Sequence, residues 1–197
     1  MKLEMTSVQK LAKVLKILVI IVFVCNLIAL LAVPVMALLT PREAVEGGME
    51  GLSYLFGGEP VPDDYIPFTA VFLGSWLVVW TKGYTAVLTV FLWACGICTA
   101  IILWQARRVL DTILIGEPFS LKNAANMKRA AVCCLIISAA ALVRLIWSFF
   151  HYKSIAPLLT YNALFVPIFA MGFLLFMVMS ALFRQAAELK EENDLTI

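Results

Sequence analysis

Four long apolar stretches, near residues 17–39, 84–104, 130–150 and 155–182, alternate with polar segments along the chain. Each holds about 20 residues or more, which as helix crosses a hydrocarbon core of roughly 30 Å. A fifth apolar run at residues 66–80 is about 15 residues long, too short for a full crossing, with Gly74 and Ser75 at its centre. A crossing there would also turn every later segment around and put the basic 107–129 region outside, against the positive-inside rule. The pattern therefore predicts an outer-face hairpin or interfacial element. Segments 68–72 and 76–80 suit two short strands around Leu73-Gly74-Ser75, with Phe68, Phe72, Trp76 and Trp80 at headgroup depth.

Punctuation within and between the spans refines this picture. Pro34 and Pro167 predict kinks in the first and last helices, and Asn26 and Asn162 are the lone amides of those spans. Helical character continues past Trp104 until Gly116, a C-cap signal; Pro118 blocks re-entry and Ser120 is an N-cap signal for the third helix. The second and third helices, at about 30 residues or near 45 Å each, exceed the hydrocarbon core, so their surplus projects as a hairpin. The predicted fold is an all-α membrane protein, a single domain over residues 1–197. It has four transmembrane helices, an outer loop at 40–83 containing a small hairpin or loop element, a cytoplasmic hairpin at 105–129 and a cytoplasmic tail at 183–197.

Composition supports the class and charge supplies the orientation. The chain is 63% hydrophobic and 14% charged, far more apolar than soluble domains, which hold about 25% charged residues. Lys2, Lys10, Lys13 and Lys16 precede the first span, where Val8, Leu11 and Leu15 suit an amphipathic lead-in or a simple positive flank. Arg107, Arg108, Lys122, Lys128 and Arg129 crowd the hairpin, whereas loop 40–65 carries Glu43, Glu46, Glu50, Glu59, Asp63 and Asp64 against Arg42 alone. Both termini are thus expected in the cytoplasm.

Few residues invite chemistry. Arg144 lies about six residues, near 9 Å, from the outer end of its helix. It either snorkels or pairs with an outer acid such as Asp63 or Asp64, or it recognises an anion in an outward pocket with Asn26 and Asn162. Cys25, Cys95, Cys98, Cys133 and Cys134 fall inside spans, where small apolar packing is the better account than zinc or redox work. His151 and the Met171, Met177 and Met179 set suit surface and filler roles. No Walker sequence, dinucleotide fingerprint, HExxH or nucleophile elbow occurs, so no enzyme activity, metal or cofactor is expected. Glu188, Glu191, Glu192 and Asp194 form an acidic tail patch that is either solvated or meets a basic partner.

Two stretches carry a family resemblance. Gly116-Glu117-Pro118-Phe119-Ser120 with Asn123, and the ending at residues 187–197, resemble the loop and C-terminal signature of domain-of-unknown-function family 2975. That resemblance implies a four-span membrane protein of bacteria with no assigned activity and no catalytic residues to carry over. It also implies a neighbouring gene for a small helix-turn-helix regulator. The expected function is a non-enzymatic regulatory protein of the bacterial cytoplasmic membrane. It would bind that regulator through the acidic tail and the hairpin, Arg107 and Arg108 included, without binding nucleic acid itself. The alternatives are a small transporter or resistance component with an anion or peptide pocket near Arg144, and a structural or homo-oligomeric membrane subunit.

Overall fold

A computed structural model describes residues 7–39, 49, 67–153, 155, 158 and 161–194. The side chains of Asn162 and Asp194, like the whole acidic stretch 40–48 with Asp63 and Asp64, lie outside the described set. The described elements are helices: α1 Ser7–Leu38, α2 Phe68–Val78 followed by a 3-10 turn Val79–Thr81, α3 Gly83–Ile115, α4 Leu121–Tyr152 and α5 Tyr161–Asp194. Four of them, α1, α3, α4 and α5, are long and apolar enough to cross a membrane. At 32, 33, 32 and 34 residues each reaches about 50 Å, well beyond a hydrocarbon core of roughly 30 Å. The last helix starts at Tyr161 rather than near residue 155, after a turn closed by Leu158 N–H on Ile155 O at 3.0 Å.

The chain divides into two compact units. The first comprises residues 1–27 and 94–197, and α4 is its most buried helix. One face of α4 is built of small residues, Ala124, Ala130, Ala131, Cys134, Ser138 and Ala141, all buried. Small side chains let helices approach closely in a medium where hydrophobicity cannot drive them together. Two inter-helix hydrogen bonds fix the approach of α5: Ser138 Oγ donates to Val166 O at 2.9 Å, and Ser180 Oγ donates to Ala124 O at 2.7 Å. Advancing along α4 from Ala124 to Ser138 matches retreating along α5 from Ser180 to Val166, so the pair is antiparallel and in step. Between the two bonds, Gly172 faces Cys134; a Cβ at Gly172 would sit 3.5 Å from Cys134 Sγ.

On α1, Gln9, Lys16 and Phe23 recur every seven residues, and all three meet α3. Gln9 Nε2 donates to Leu114 O at 3.5 Å, Lys16 Nζ lies 2.6 Å from Asp111 Oδ1, and the Phe23 and Trp104 rings are 5.9 Å apart. A seven-residue period keeps one helical seam against a neighbour, and the pairing again runs antiparallel. The beginning of α1, the α3–α4 turn and the end of α5 therefore share one end of this unit, where the Phe119 and Phe183 rings also pack at 5.8 Å.

The second unit comprises residues 28–93. Its centre is Trp93, whose ring lies 5.5 Å from Trp76 and 6.2 Å from Trp80. Trp93 Nε1 donates to Leu30 O at 3.2 Å. Leu30 is four residues before Pro34, whose missing N–H would otherwise have bonded that carbonyl. The indole supplies the donor that the proline lacks.

The expectation of two short strands at residues 66–80 is corrected: the stretch is helical from Phe68 to Val78 and continues as the 3-10 turn. Two isolated five-residue strands would leave their outer backbone groups unpaired in an apolar setting, whereas a helix satisfies them internally. Gly74 and Ser75, read as a turn, are absorbed: nothing crowds Gly74, and Ser75 Oγ donates back to Phe72 O at 2.6 Å. With 11 residues, α2 is about 16 Å long and does not cross a bilayer.

Replacing Gly172 with alanine should leave the thermal midpoint of the detergent-solubilised protein nearly unchanged, since the new Cβ makes ordinary contact with Cys134. Gly172→Ile overpacks the seam by about 1–3 kcal/mol and should lower that midpoint by several degrees. Equal midpoints for the two variants would contradict this packing.

Candidate functional site

The shared polar end of the first unit holds the best-developed site. It is built on the α3–α4 turn. Gly116, at φ +89°, ends α3: its N–H bonds Ile113 O at 3.1 Å and the Glu117 N–H bonds Thr112 O at 3.0 Å. This double closure requires a left-handed residue, which glycine adopts without a Cβ clash. Ser120 begins α4 in an extended conformation, and its Oγ accepts the Asn123 N–H at 3.3 Å.

Asn123 locks the turn to both helices. Its fully buried Nδ2 donates to Thr112 Oγ1 at 2.6 Å and to Pro118 O at 2.7 Å, while Thr112 Oγ1 donates onward to Val109 O at 2.7 Å. Asn123 Oδ1 accepts no hydrogen bond, and neither does the buried Gln105 Oε1 on α3.

A cleft of about 430 Å³ opens between the helices beside this lock. Arg108, Asp111 and Thr112 line it from α3, and Lys122, Asn123, Ala125, Asn126 and Arg129 from α4. Asp111 is engaged by Lys16 at 2.6 Å. Arg108, Lys122 and Arg129 are exposed and form no ion pair among the described residues. Asn126 is 7% exposed, and no hydrogen bond engages its side chain among the described residues. Among the described residues the cleft thus offers three unpaired cations and one nearly buried amide.

A second cleft, also about 430 Å³, follows the same helix pair toward the apolar stretches. Ile101, Ala125, Val132 and Cys133 line it together with Lys128 and Arg129, and its surface is almost wholly carbon. Ala125 and Arg129 belong to both clefts.

The residues singled out from sequence are distributed differently. Arg107 stacks over Trp104, its Cζ 5.3 Å from the ring centroid, and only its neighbour Arg108 lines the cleft. Arg144 is half-buried on α4. Asn26 has a buried Oδ1 without a partner. It follows Phe23 by one turn and so lies opposite the 98–104 stretch of α3. Arg144 lies eleven residues beyond Cys133, the α4 residue that meets Cys98, or about 16 Å along the axis. The two are therefore at different depths, and Asn162 is not available to bridge them among the described side chains.

Glu188, Glu191 and Glu192 are exposed on α5, which stays helical to Asp194. Arg184 Nε donates to Glu188 Oε1 at 2.8 Å, one turn apart. Cys98, Cys133 and Ile137 form a buried core cluster with Cys95, Ile102 and Phe169 packed against it. No group of three or more His, Cys, Asp or Glu is placed to hold a metal among the described residues.

Sequence reading passed over Asp111, Thr112, Asn123 and Asn126 as site residues. Once Gly116 and Ser120 are taken as caps, however, antiparallel pairing brings 108–112 opposite 122–129, and that signal was present.

With four such helices the chain is a multi-pass membrane protein. A family model described as "Protein of unknown function (DUF2975)" matches residues 61–197, and the chain belongs to that family. No curated protein and no solved structure matches it.

Asn123→Ala should destabilise the detergent-solubilised protein by about 1–3 kcal/mol, because two hydrogen bonds are lost and Thr112 and Pro118 O are left with poorer partners. A melting midpoint identical to wild type would show that the turn does not depend on the lock. The Lys16–Asp111 pair, about a third exposed on each side, should contribute under about 1 kcal/mol in a Lys16→Met, Asp111→Leu double-mutant cycle.

Proposed function

We propose that the protein is a non-enzymatic regulatory component of the bacterial cytoplasmic membrane that captures a small helix-turn-helix transcription regulator. The observation that carries this reading is the gathering of charge of both signs at one end of the first unit. Lys10, Lys13 and the basic α3–α4 turn stand at that end, and α5 extends Glu188, Glu191 and Glu192 from it on a continuous helix. The basic excess favours the cytoplasmic side for this end, and with it for the start of α1 and the end of α5, by the positive-inside rule.

A DNA-binding regulator presents a cationic surface for phosphates, and an exposed acidic helix complements that surface. Capture at the membrane would withhold the regulator from DNA, and the membrane protein itself would not bind nucleic acid. The family resemblance adds the neighbouring regulator gene as the source of the partner. Transport around Arg144 draws less support, because Asn26 and Arg144 stand at different depths. A structural or homo-oligomeric role would leave the acidic helix end without a use.

The test is co-purification of the tagged full-length protein with the neighbouring regulator, beside a variant ending at residue 185. Loss of most of the regulator from the shortened protein is expected, with its membrane insertion unchanged. Equal recovery by both would remove the tail from the interaction.

A further inference from the structure

The two clefts between α3 and α4 form a polar chamber continuous in lining with an apolar one, joined through Ala125 and Arg129. The chambers differ in depth as well as in chemistry. Ile101 lies seven residues inward of Arg108 on the same helix, about 10 Å along its axis. Ile101, Val132 and Cys133 fall within the apolar stretches 84–104 and 130–150, while Arg108, Lys122 and Arg129 stand just outside them. A ligand filling both chambers is therefore anionic at the membrane surface and hydrocarbon below it.

We propose that this paired cleft is a binding site for an anionic phospholipid. The phosphodiester sits among Arg108, Lys122 and Arg129, and one acyl chain lies along Ile101, Val132 and Cys133.

Four features support this occupant. The three cations have no ion-pair partner among the described residues, and the one acid in the chamber, Asp111, is already engaged by Lys16. Guanidinium groups match phosphate oxygens with paired N–H donors. Asn126 is more than nine-tenths buried at the chamber and its side chain has no hydrogen bond among the described residues, so a headgroup oxygen or hydroxyl would complete it. The surplus of free positive charge selects net-anionic headgroups over zwitterionic ones, whose ammonium group would meet those same cations. A free phosphate would satisfy the polar chamber but leave the apolar one unused. The inference rests on the membrane placement of the helices and not on the capture of a regulator.

The experiment uses the full-length chain in nanodiscs of phosphatidylcholine doped with phosphatidylglycerol. Retained lipid is counted by native mass spectrometry after transfer to detergent. Wild type should retain phosphatidylglycerol in preference to phosphatidylcholine. The double variant Arg108→Gln/Arg129→Gln should retain about 25-fold less, at roughly fivefold per cation removed. Val132→Trp, which fills the apolar chamber without touching charge, should also lower retention. Lys10→Gln/Lys13→Gln, which removes two exposed cations outside the clefts, should stay within about twofold of wild type. Size-exclusion profile and melting midpoint confirm that each variant is folded. Equal retention of the two lipids would overturn the proposal, as would equal losses from the cleft and control double variants, which would indicate only a diffuse positive field. Displacement of the lipid by millimolar inorganic phosphate, with wild-type retention by Val132→Trp, would make the chamber a soluble-anion site and overturn the lipid assignment.

Discussion

Hydrocarbon offers no hydrogen bonds, so a chain this apolar must find a partner for each buried polar group within itself. The constraint is visible wherever the helices depart from regularity. Pro34 interrupts the ladder of α1 and exposes Leu30 O, and Trp93 donates to it from α3. Thr85, Thr89 and Thr99 turn their hydroxyls back onto carbonyls of their own chain. Ser138 and Ser180 instead donate across to the neighbouring helix, which converts the same requirement into inter-helix register. Among the described residues, the buried side-chain oxygens of Asn26, Gln105 and Asn123 lack partners and stand out against this background.

The polar end follows from the same rule applied at a boundary. Where α3 and α4 leave the apolar region they need caps, and Gly116, Ser120 and Asn123 supply them through local geometry. Fixing the turn fixes which residues face one another, so that Arg108 and Asp111 stand across from Lys122, Asn126 and Arg129. Asn123 is central because it touches α3, the turn and α4 at once. The charges around it are largely unpaired, which is tolerable at an aqueous surface and would be costly a few turns deeper.

Much of this was legible in the sequence, and the failures have identifiable causes. The long spans follow from apolar length, and Gly116 and Ser120 are recognisable because capping demands particular residue types. Of the two readings of residues 66–80, hairpin or interfacial element, the two-strand one failed because Phe68, Phe72, Trp76 and Trp80 recur every four residues. That spacing is compatible both with one face of a strand and with successive turns of a helix. The Gly74-Ser75 pair then tipped the reading toward a turn. Arg144 drew attention because ionised residues are rare in lipid, and its distance from the end of its helix follows from residue counting, whereas its neighbours on other helices do not. The cleft residues were overlooked because charge near a helix end already had a sufficient explanation in orientation, and Asn126 becomes notable only when its burial is known.

The paired serine bonds on α4 and α5 have a mechanical consequence. They clamp α5 on both sides of Pro167, at Val166 and at Ser180, so the proline cannot act as a free hinge and the two helices tilt as one plank. Past Ser180, α5 is still held where Phe183 packs on Phe119 and Ala187 is buried, and it runs free only over its last seven residues to Asp194, about 10 Å. A change in bilayer thickness that tilts the plank by about 10° would swing that free end by about 2 Å. The acidic residues would then move with the helix pair, without any local rearrangement of their own.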